Sequence, residues 1–293
     1  MKQVQLNDGF TVQALSRADA KVIYHEIWQM QSYSKHGIVV NDNDTIIDVG
    51  ANIGLFSIHL AQQHQGLQLY AFEPVQPIYE CLTRNSEPLQ QKHTVRLFNS
   101  GLSNQSGNVP FSFCPALSMV AGMYSQELQK QQSGNASVYA WLIAMIQDLQ
   151  RAHIIPAWIG RPLAIALTWP IIRILLLILL MLPLLALLIY LKVTTLTVNC
   201  NLTTLSTIFS ENNITTAHLV KIDVEGAELD VLQGIAAADF QKIKQLVIEV
   251  HDINNRVQQI TKLLQEHNFT VMVDQEEWSL HPLMNIYTIF ARK

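Results

Sequence analysis

Residues 45–54, TIIDVGANIG, decide the fold of this chain. TIIDV is a short β-branched run of the kind found in strands buried on both faces of a parallel sheet. Gly50 and Gly54 let the backbone turn tightly and approach a ligand closely, and Asn52 can hydrogen-bond within the turn that opens the next helix. LFSIHLAQQHQG then predicts a helix ending at Gly66, and LQLYAFE predicts a second strand. These segments together indicate a βαβ unit.

The same alternation extends in both directions along the chain. Apolar spacing predicts a lead-in helix within residues 16–33, and residues 77–85 predict a second helix of the sheet, followed by the strand VRLFN. VPFSF is a candidate short edge strand, and CNLTTLSTIF is helical in pattern at its end. HLVKID and QLVIEV predict two more strands, while FTVMVD and NIYTIFA predict an antiparallel pair at one edge. We therefore expect an α/β fold with a Rossmann-like, seven-stranded, mostly parallel sheet.

Polar residues cluster where these strands end. Ligands of an open parallel sheet bind at the carboxyl ends of its strands, so these residues are candidates for a site. Buried carboxylates are costly unless they bind something, which favours a cationic ligand. Alternation within each strand puts Lys221 on the same side as Asp223, and Glu249 on the same side as His251. The candidates are Glu73, Asp223, Glu225, Glu249, His251 and Asp252.

Two ribose-containing cofactors fit the first two strand ends. Glu73 follows Gly54 by 19 residues, where a carboxylate accepts both hydroxyls of a ribose. A nicotinamide dinucleotide site usually shows G-x-G-x-x-G, whereas DVGANIG lacks the middle glycine and begins with Asp48. An acid there favours S-adenosylmethionine, whose amino-acid end carries an ammonium group. The nicotinamide alternative implies an oxidoreductase.

Composition excludes several other classes of protein. The chain carries 19 basic and 23 acidic residues, a net charge of -4, which argues against nucleic-acid binding. Cys81, Cys114 and Cys200 are odd in number and form no C-x-x-C pair, so we expect neither a disulfide framework nor a zinc site. No other metal-ligand spacing stands out. The amino terminus has no apolar signal-peptide core, which predicts that the body of the protein stays in the cytoplasm.

The ordered motifs DVGANIG, FEP, KIDVEGAE and IEVHD resemble those of the FkbM-type S-adenosylmethionine-dependent methyltransferases, in the subgroup associated with natural products. The resemblance covers roughly residues 17–125 and 198–291. It implies an O-methyltransferase with a hydroxyl acceptor. It also implies that Asp223 and Glu225 lie near the methionine end and the acceptor. The cofactor contacts that it implies are Asp48, Gly50, Asn52, Gly54 and Glu73, with Asp223.

Methyl transfer to a hydroxyl requires positioning and a base. The enzyme holds the acceptor oxygen within about 3 to 3.5 Å of the methyl carbon, and a nearby group accepts the hydroxyl proton. His251 is the first candidate for this base because the reference pKa of histidine lies near neutrality. Asp223 and Glu225 are the next candidates.

A leucine-rich insertion interrupts the resemblance. Residues 174–191 are 18 consecutive uncharged residues between Arg173 and Lys192, and a helix of that length spans about 27 Å, close to the hydrocarbon thickness of a bilayer. We therefore predict a membrane segment at residues 162–191 that contacts lipid. It lies in an insertion, residues 135–197, that separates the methyltransferase regions 1–134 and 198–293.

The topology restricts how this segment enters a membrane. The strands before and after it join one sheet, so a single crossing is disfavoured. A re-entrant hairpin broken at Pro170 and Pro183, or a second crossing by residues 154–168, returns the chain to the same side. A helix buried in the protein or in a dimer interface is the remaining alternative. We expect membrane association with the catalytic domain on the cytoplasmic side.

The sequence thus predicts a methyltransferase acting at the membrane. Its expected acceptor is a hydroxyl on a lipid-linked glycan, a glycolipid or a secondary metabolite. A membrane-anchored binding or scaffold protein with a degenerate cofactor pocket is the alternative.

Overall fold

A computed structural model describes residues 1–115, 196–275 and 285–293. Its strands are β1 (Lys2–Gln5), β2 (Thr11–Ala14), β3 (Thr45–Val49), β4 (Gln68–Phe72), β5 (Thr94–Phe98), β6 (Gly101–Leu102), β7 (Gly107–Phe113), β8 (Leu196–Thr203), β9 (Leu219–Ile222), β10 (Gln245–His251), β11 (Thr270–Asp274) and β12 (Ile286–Arg292). Its α-helices are α1 (Arg17–Tyr24), α2 (Leu55–Gln63), α3 (Gln76–Ser86), α4 (Leu205–Glu211), α5 (Glu228–Gln233) and α6 (Arg256–Glu266).

Seven strands form the central sheet, in the order β11-β12-β10-β9-β3-β4-β5. The five strands from β10 to β5 pair in parallel, and β12 runs antiparallel to both of its neighbours. The Rossmann-like, mostly parallel sheet predicted from sequence is therefore confirmed. The last two strands, β11 and β12, pair antiparallel as predicted. However, β12 lies between β10 and β11, so the strand that runs against its neighbours is the second from the edge of the sheet.

Side chains on the two faces of the sheet pack into two separate apolar clusters. Ile46 belongs to one cluster of buried residues, whereas its neighbour Ile47 belongs to another. All five residues of β3 are buried, because helices and the flanking segments cover both faces of the strand. This explains why β3 is apolar at three of its five positions, with Thr45 at its start and Asp48 next to its last residue as the polar ones.

Two smaller sheets lie outside the pattern that the sequence predicted. β1 and β2 form an antiparallel hairpin, and β6, β8 and β7 form a three-stranded sheet that contains the predicted VPFSF strand. The strand β8 was not predicted. Polar residues alternate with apolar ones along LTVNCNLT and most of its residues are not buried, so its apolar signal is weak.

Two strands of this three-stranded sheet flank the leucine-rich part of the sequence. Phe113 of β7 pairs with Leu196 of β8, although 82 residues separate them in the chain. Of the predicted insertion, only residues 196 and 197 are described, and they already belong to β8. The predicted membrane segment 162–191 lies outside the described residues. Elsewhere in the chain, the described helices are too short or too polar to cross a bilayer.

Replacing Gly50 with alanine should destabilise the fold strongly. Gly50 has φ +75°, and a Cβ there would lie 1.8 Å from the carbonyl oxygen of Asp223. We expect the free energy of unfolding to fall by more than about 2 kcal/mol, since the left-handed backbone alone costs about 1–2 kcal/mol for an L-residue. Urea denaturation followed by tryptophan fluorescence measures this. Gly107→Ala is the control, because a Cβ at Gly107 meets no atom within 4 Å. Equal effects of the two substitutions would contradict the prediction.

Candidate active site

A cleft of about 1070 Å³, including its open mouth, lies at the carboxyl ends of the parallel strands. The chain order of the strands reverses between β3 and β9, and such a switch point is where open α/β sheets bind ligands. The lead-in segment and the three-stranded sheet contribute the facing wall. Among the residues predicted from sequence, the cleft is lined by Gly50, Asn52, Glu73, Asp223, Glu225 and Glu249.

The turn between β3 and α2 depends on left-handed backbone at three positions. Gly50 has φ +75°, Asn52 has φ +50° and Gly54 has φ +89°. The side-chain oxygen of Asn52 accepts the N–H of Ile53 at 2.8 Å. Gly54 is the N-cap of α2 and does not belong to the cleft lining, so it shapes the turn.

Glu73 joins the end of β4 to this turn. Its Oε2 accepts the N–H of Asn52 at 3.1 Å, and its Oε1 accepts the N–H of Val75 at 2.9 Å. The side chain is buried, and burial raises the pKa of Glu73 to about 7 despite these two hydrogen bonds. Each carboxylate oxygen keeps a second lone pair for a further donor. Glu73 is therefore fixed at the cleft, with acceptor capacity left for a ligand.

Lys221 lies at the centre of the switch point. Its Nζ donates to the carbonyl oxygen of Gly50 at 2.9 Å and lies 3.2 Å from Asp223 Oδ2 and 3.5 Å from Asp48 Oδ1. Burial would lower the pKa of Lys221, but Asp223 and Asp48 outweigh burial and hold it above its ordinary value. The ammonium group thus stays charged and ties β9 to the turn after β3.

Asp48 lies beneath the turn and not in the cleft. It is 1% exposed, and its Oδ2 accepts the hydroxyl of Ser57 at 2.8 Å. Burial raises the pKa of Asp48, and the charge of Lys221 opposes this. The sequence predicted a cofactor contact for Asp48. In the structure it supports the site indirectly, through Lys221.

Tyr33 brings the lead-in segment into the site. Its hydroxyl lies 3.2 Å from Glu26 Oε1, 3.4 Å from Asp223 Oδ2 and 3.4 Å from Glu249 Oε2. Burial raises the pKa of Tyr33, and the three carboxylates raise it further. A phenol has one proton to donate, so the three carboxylates share a single donor here. Sequence reasoning missed Tyr33 and Glu26, since no strand-end motif includes them.

Glu225 follows β9 in an unusual backbone conformation. Its φ of +51° is uncommon for a residue other than glycine or asparagine, and such strain is concentrated at functional sites. Its side chain is 19% exposed and lines the cleft. Burial raises the pKa of Glu225 to about 7, although the charge of His251 opposes the rise.

His251 lies behind Glu225 and outside the cleft lining. The residue is 3% exposed, with Nε2 3.4 Å from Glu225 Oε2 and Nδ1 3.1 Å from Glu228 Oε1. Burial would lower the pKa of His251, but the hydrogen bond to Glu228 and the charge of Glu225 raise it to about 9. This corrects the reason for choosing His251 as the base. A pKa raised in this way favours the protonated imidazole at neutral pH, and that form does not suit the role of a base.

Comparison with known proteins agrees with the motifs. Residues 179–271 match the family model described as the methyltransferase FkbM domain. The chain is 26% identical to the 31-O-demethyl-FK506 methyltransferase FkbM of Streptomyces tacrolimicus, over 100% of this chain and 97% of that protein. It is 24% identical to methyltransferase sdnD of Sordaria araneosa, over 93% and 90% of the two chains. It is also 28% identical to the AMB antimetabolite synthetase AmbE of Pseudomonas aeruginosa, over 94% of this chain and 12% of that protein. The family model and these relatives therefore support the FkbM-type S-adenosylmethionine-dependent methyltransferases, the family that the sequence motifs resemble.

Proposed function

We propose that this chain O-methylates a hydroxyl group of a small natural-product acceptor. The observation that carries the proposal is the buried carboxylate of Glu73, fixed at the end of β4 beside the glycine turn and facing an acid-lined cleft. The relative from Streptomyces tacrolimicus, which is named as a 31-O-demethyl-FK506 methyltransferase, supports transfer to an oxygen.

The residues of the cleft fit S-adenosylmethionine better than a dinucleotide. A diphosphate needs free backbone N–H groups at the start of α2, or an unpaired cation nearby. Glu73 already accepts the N–H of Asn52, and Asp48 and Asp223 balance the charge of Lys221. A further anion would be repelled, whereas a sulfonium and an ammonium group would be attracted. This argues against the nicotinamide-dependent oxidoreductase.

Three groups of residues would hold the cofactor. Glu73 would accept the ribose hydroxyls, and the turn containing Gly50 and Asn52 would lie against the methionine part. Asp223, 25% exposed and held by Lys221, would accept from the ammonium group. When bound, S-adenosylmethionine supplies an electrophilic methyl group.

The remaining cleft residues would bind and deprotonate the acceptor. We assign the general base to Glu225, because it lines the cleft and its pKa near 7 suits proton transfer at neutral pH. Glu225 would take the proton of the acceptor hydroxyl as the oxygen bonds to the methyl carbon, and the electron pair of the broken C–S bond would stay on sulfur. Asp223 is less suited to this role, because Lys221 and Tyr33 already contact its Oδ2.

We further propose that residues 162–191 anchor the enzyme to a membrane, with the catalytic domain on the cytoplasmic side. The length and composition of that segment support this, as does the pairing of Phe113 with Leu196, which precede and follow it in the chain. The same small sheet contributes Phe111 and Leu202 to the cleft wall. An acceptor with an apolar part, such as a glycolipid, a lipid-linked glycan or a secondary metabolite, would suit both features.

Replacing Glu73 with glutamine should weaken cofactor binding. The amide keeps the shape of the side chain but loses the charge that strengthens hydrogen bonds from the ribose, so we expect a loss of roughly 10-fold to 100-fold in affinity. Calorimetric titration of S-adenosylmethionine into the detergent-solubilised full chain measures this.

Glu80→Gln is the matched control, because Glu80 is exposed on α3 and should bind like the wild type. Wild-type affinity in Glu73→Gln would contradict the assignment. Binding of a nicotinamide dinucleotide instead would favour an oxidoreductase, and a folded wild type that binds neither would favour the scaffold alternative.

Cofactor affinity should fall as the pH is lowered through 7. Burial raises the pKa values of Glu73 and Glu225 to about 7, so both are largely protonated at pH 6 and ionised at pH 8. A cationic ligand favours the ionised forms, and one such carboxyl gives a loss of about tenfold in affinity from pH 8 to pH 6. Calorimetry in buffers of different ionisation enthalpy should detect proton release on binding. Binding without proton release at pH 6.5 would contradict these raised pKa values.

The full chain should bind lipid vesicles through the leucine-rich segment. Flotation with vesicles of phosphatidylcholine and phosphatidylglycerol should carry the full chain upward, because burial of some 30 mostly apolar residues favours the bilayer. A variant lacking residues 162–191 should stay in the dense fraction and still bind S-adenosylmethionine. A full chain that does not float with the vesicles would disprove the anchor.

A further inference from the structure

A buried network of alternating charges lies directly behind Glu225. Glu228 is 0% exposed, and its Oε1 accepts the N–H of Gly226 at 2.7 Å and lies 3.1 Å from His251 Nδ1. Arg256 Nη1 donates to Glu228 Oε2 at 3.1 Å and to the carbonyl oxygen of His251 at 3.2 Å. We call His251, Glu228 and Arg256 the rear network.

The geometry of the rear network fixes where the protons lie. Glu228 is neutralised by Arg256 and accepts from Gly226, so His251 Nδ1 must donate its proton to Glu228. The other nitrogen, Nε2, then faces Glu225 Oε2 at 3.4 Å. An ionised carboxylate oxygen and a nitrogen without a proton would repel each other at this distance, so a proton must lie between His251 and Glu225. A protonated imidazole beside an ionised Glu225 satisfies every contact.

We propose that His251 is a positioning residue, held protonated by the rear network, that favours the ionised form of Glu225 and orients its carboxylate. The proposal rests on the proposed function, in which Glu225 accepts the acceptor's proton. It gives His251 a role through Glu225 and not through the substrate. The ion pair joins His251 Nε2 to Glu225 Oε2, on the side of Glu225 that faces the rear network.

The charges around Glu225 explain why such a cation is needed. Burial disfavours the ionised carboxylate, and neighbouring acids disfavour it further, so without His251 its pKa would lie well above neutrality. Lys221 opposes this, but its Nζ already contacts Asp223 and Asp48. The titratable and charged groups that act on Glu225 or on its partner His251 are Lys221 and Asp223 of β9 and the following turn, Glu228 of α5, Glu249 of β10, and Arg256 of α6.

Nuclear magnetic resonance of the full chain tests the proposal without an acceptor. Long-range ¹H–¹⁵N spectra report the charge of each imidazole, and carboxyl ¹³C shifts report the ionisation of glutamates. The His251 and Glu225 signals are assigned by their absence in His251→Gln and Glu225→Gln. We expect both nitrogens of His251 to carry protons at pH 7.5, with a titration midpoint near 9 that falls in Glu225→Gln.

Removing the charge of His251 should move the titration of Glu225. In His251→Gln we expect the Glu225 midpoint to rise by at least about one pH unit, since an opposite charge at this distance shifts a pKa by about one to three units. His64→Gln is the control. His64 is the C-cap of α2, whereas the cleft lies at the first turn of that helix, so this substitution should leave the Glu225 midpoint unchanged. A residue with a purely structural role would also leave the Glu225 midpoint unchanged.

A second measurement uses the wild type alone, so it does not depend on whether a variant folds. If the two groups are coupled, the Glu225 carboxyl carbon should show a small second step near the pH at which His251 loses its proton. A neutral His251 at pH 7 would overturn the proposal. So would a Glu225 midpoint that is the same in His251→Gln, together with no second step in the wild-type Glu225 titration. Calorimetry of the wild type separates the proposed function from the role of His251. If S-adenosylmethionine does not bind, the proposed function fails. If it binds but the titrations of His251 and Glu225 are independent, only the role of His251 is refuted.

Discussion

The ammonium group of Lys221 is the contact on which the switch point of the sheet depends. It donates to the carbonyl oxygen of Gly50 and lies between Asp48 and Asp223, so it joins the turn after β3 to the end of β9. Two buried or half-buried acids at this place would repel each other without a cation between them. The close approach of Gly50 to the Asp223 carbonyl, which excludes any Cβ, belongs to the same junction.

Charge balance around this junction determines what the cleft can bind. Lys221 is shared between its two aspartates, while Glu73, Glu225 and Glu249 all have pKa values raised by burial. A cation that binds near such carboxyl groups favours their ionised forms. The cleft therefore favours a cationic cofactor over an anionic one, which is the distinction between S-adenosylmethionine and a dinucleotide.

The parts of the fold that depend on local pattern could be predicted from sequence. TIIDVGANIG specifies a buried strand, a glycine turn and a helix, and Glu73 follows at the end of the next strand. The roles of Asp48 and His251 could not be predicted in this way, because they depend on partners distant in the chain: Lys221 for the first, Glu225 and Glu228 for the second. Tyr33 was missed for the same reason, since its hydroxyl meets acids from three separate segments. Sequence alone assigned a base to the residue type with a suitable reference pKa, whereas burial among acids changes that pKa.

A crystal structure of the chain with S-adenosylmethionine would show directly how the cleft binds its cofactor. We expect the ribose hydroxyls on the Glu73 carboxylate, the ammonium group beside Asp223, and the methyl group directed towards the space next to Glu225. Lys221 should keep its contacts with Gly50 and Asp48 in that complex. A nucleoside bound away from Glu73, or a methyl group directed away from Glu225, would contradict the account.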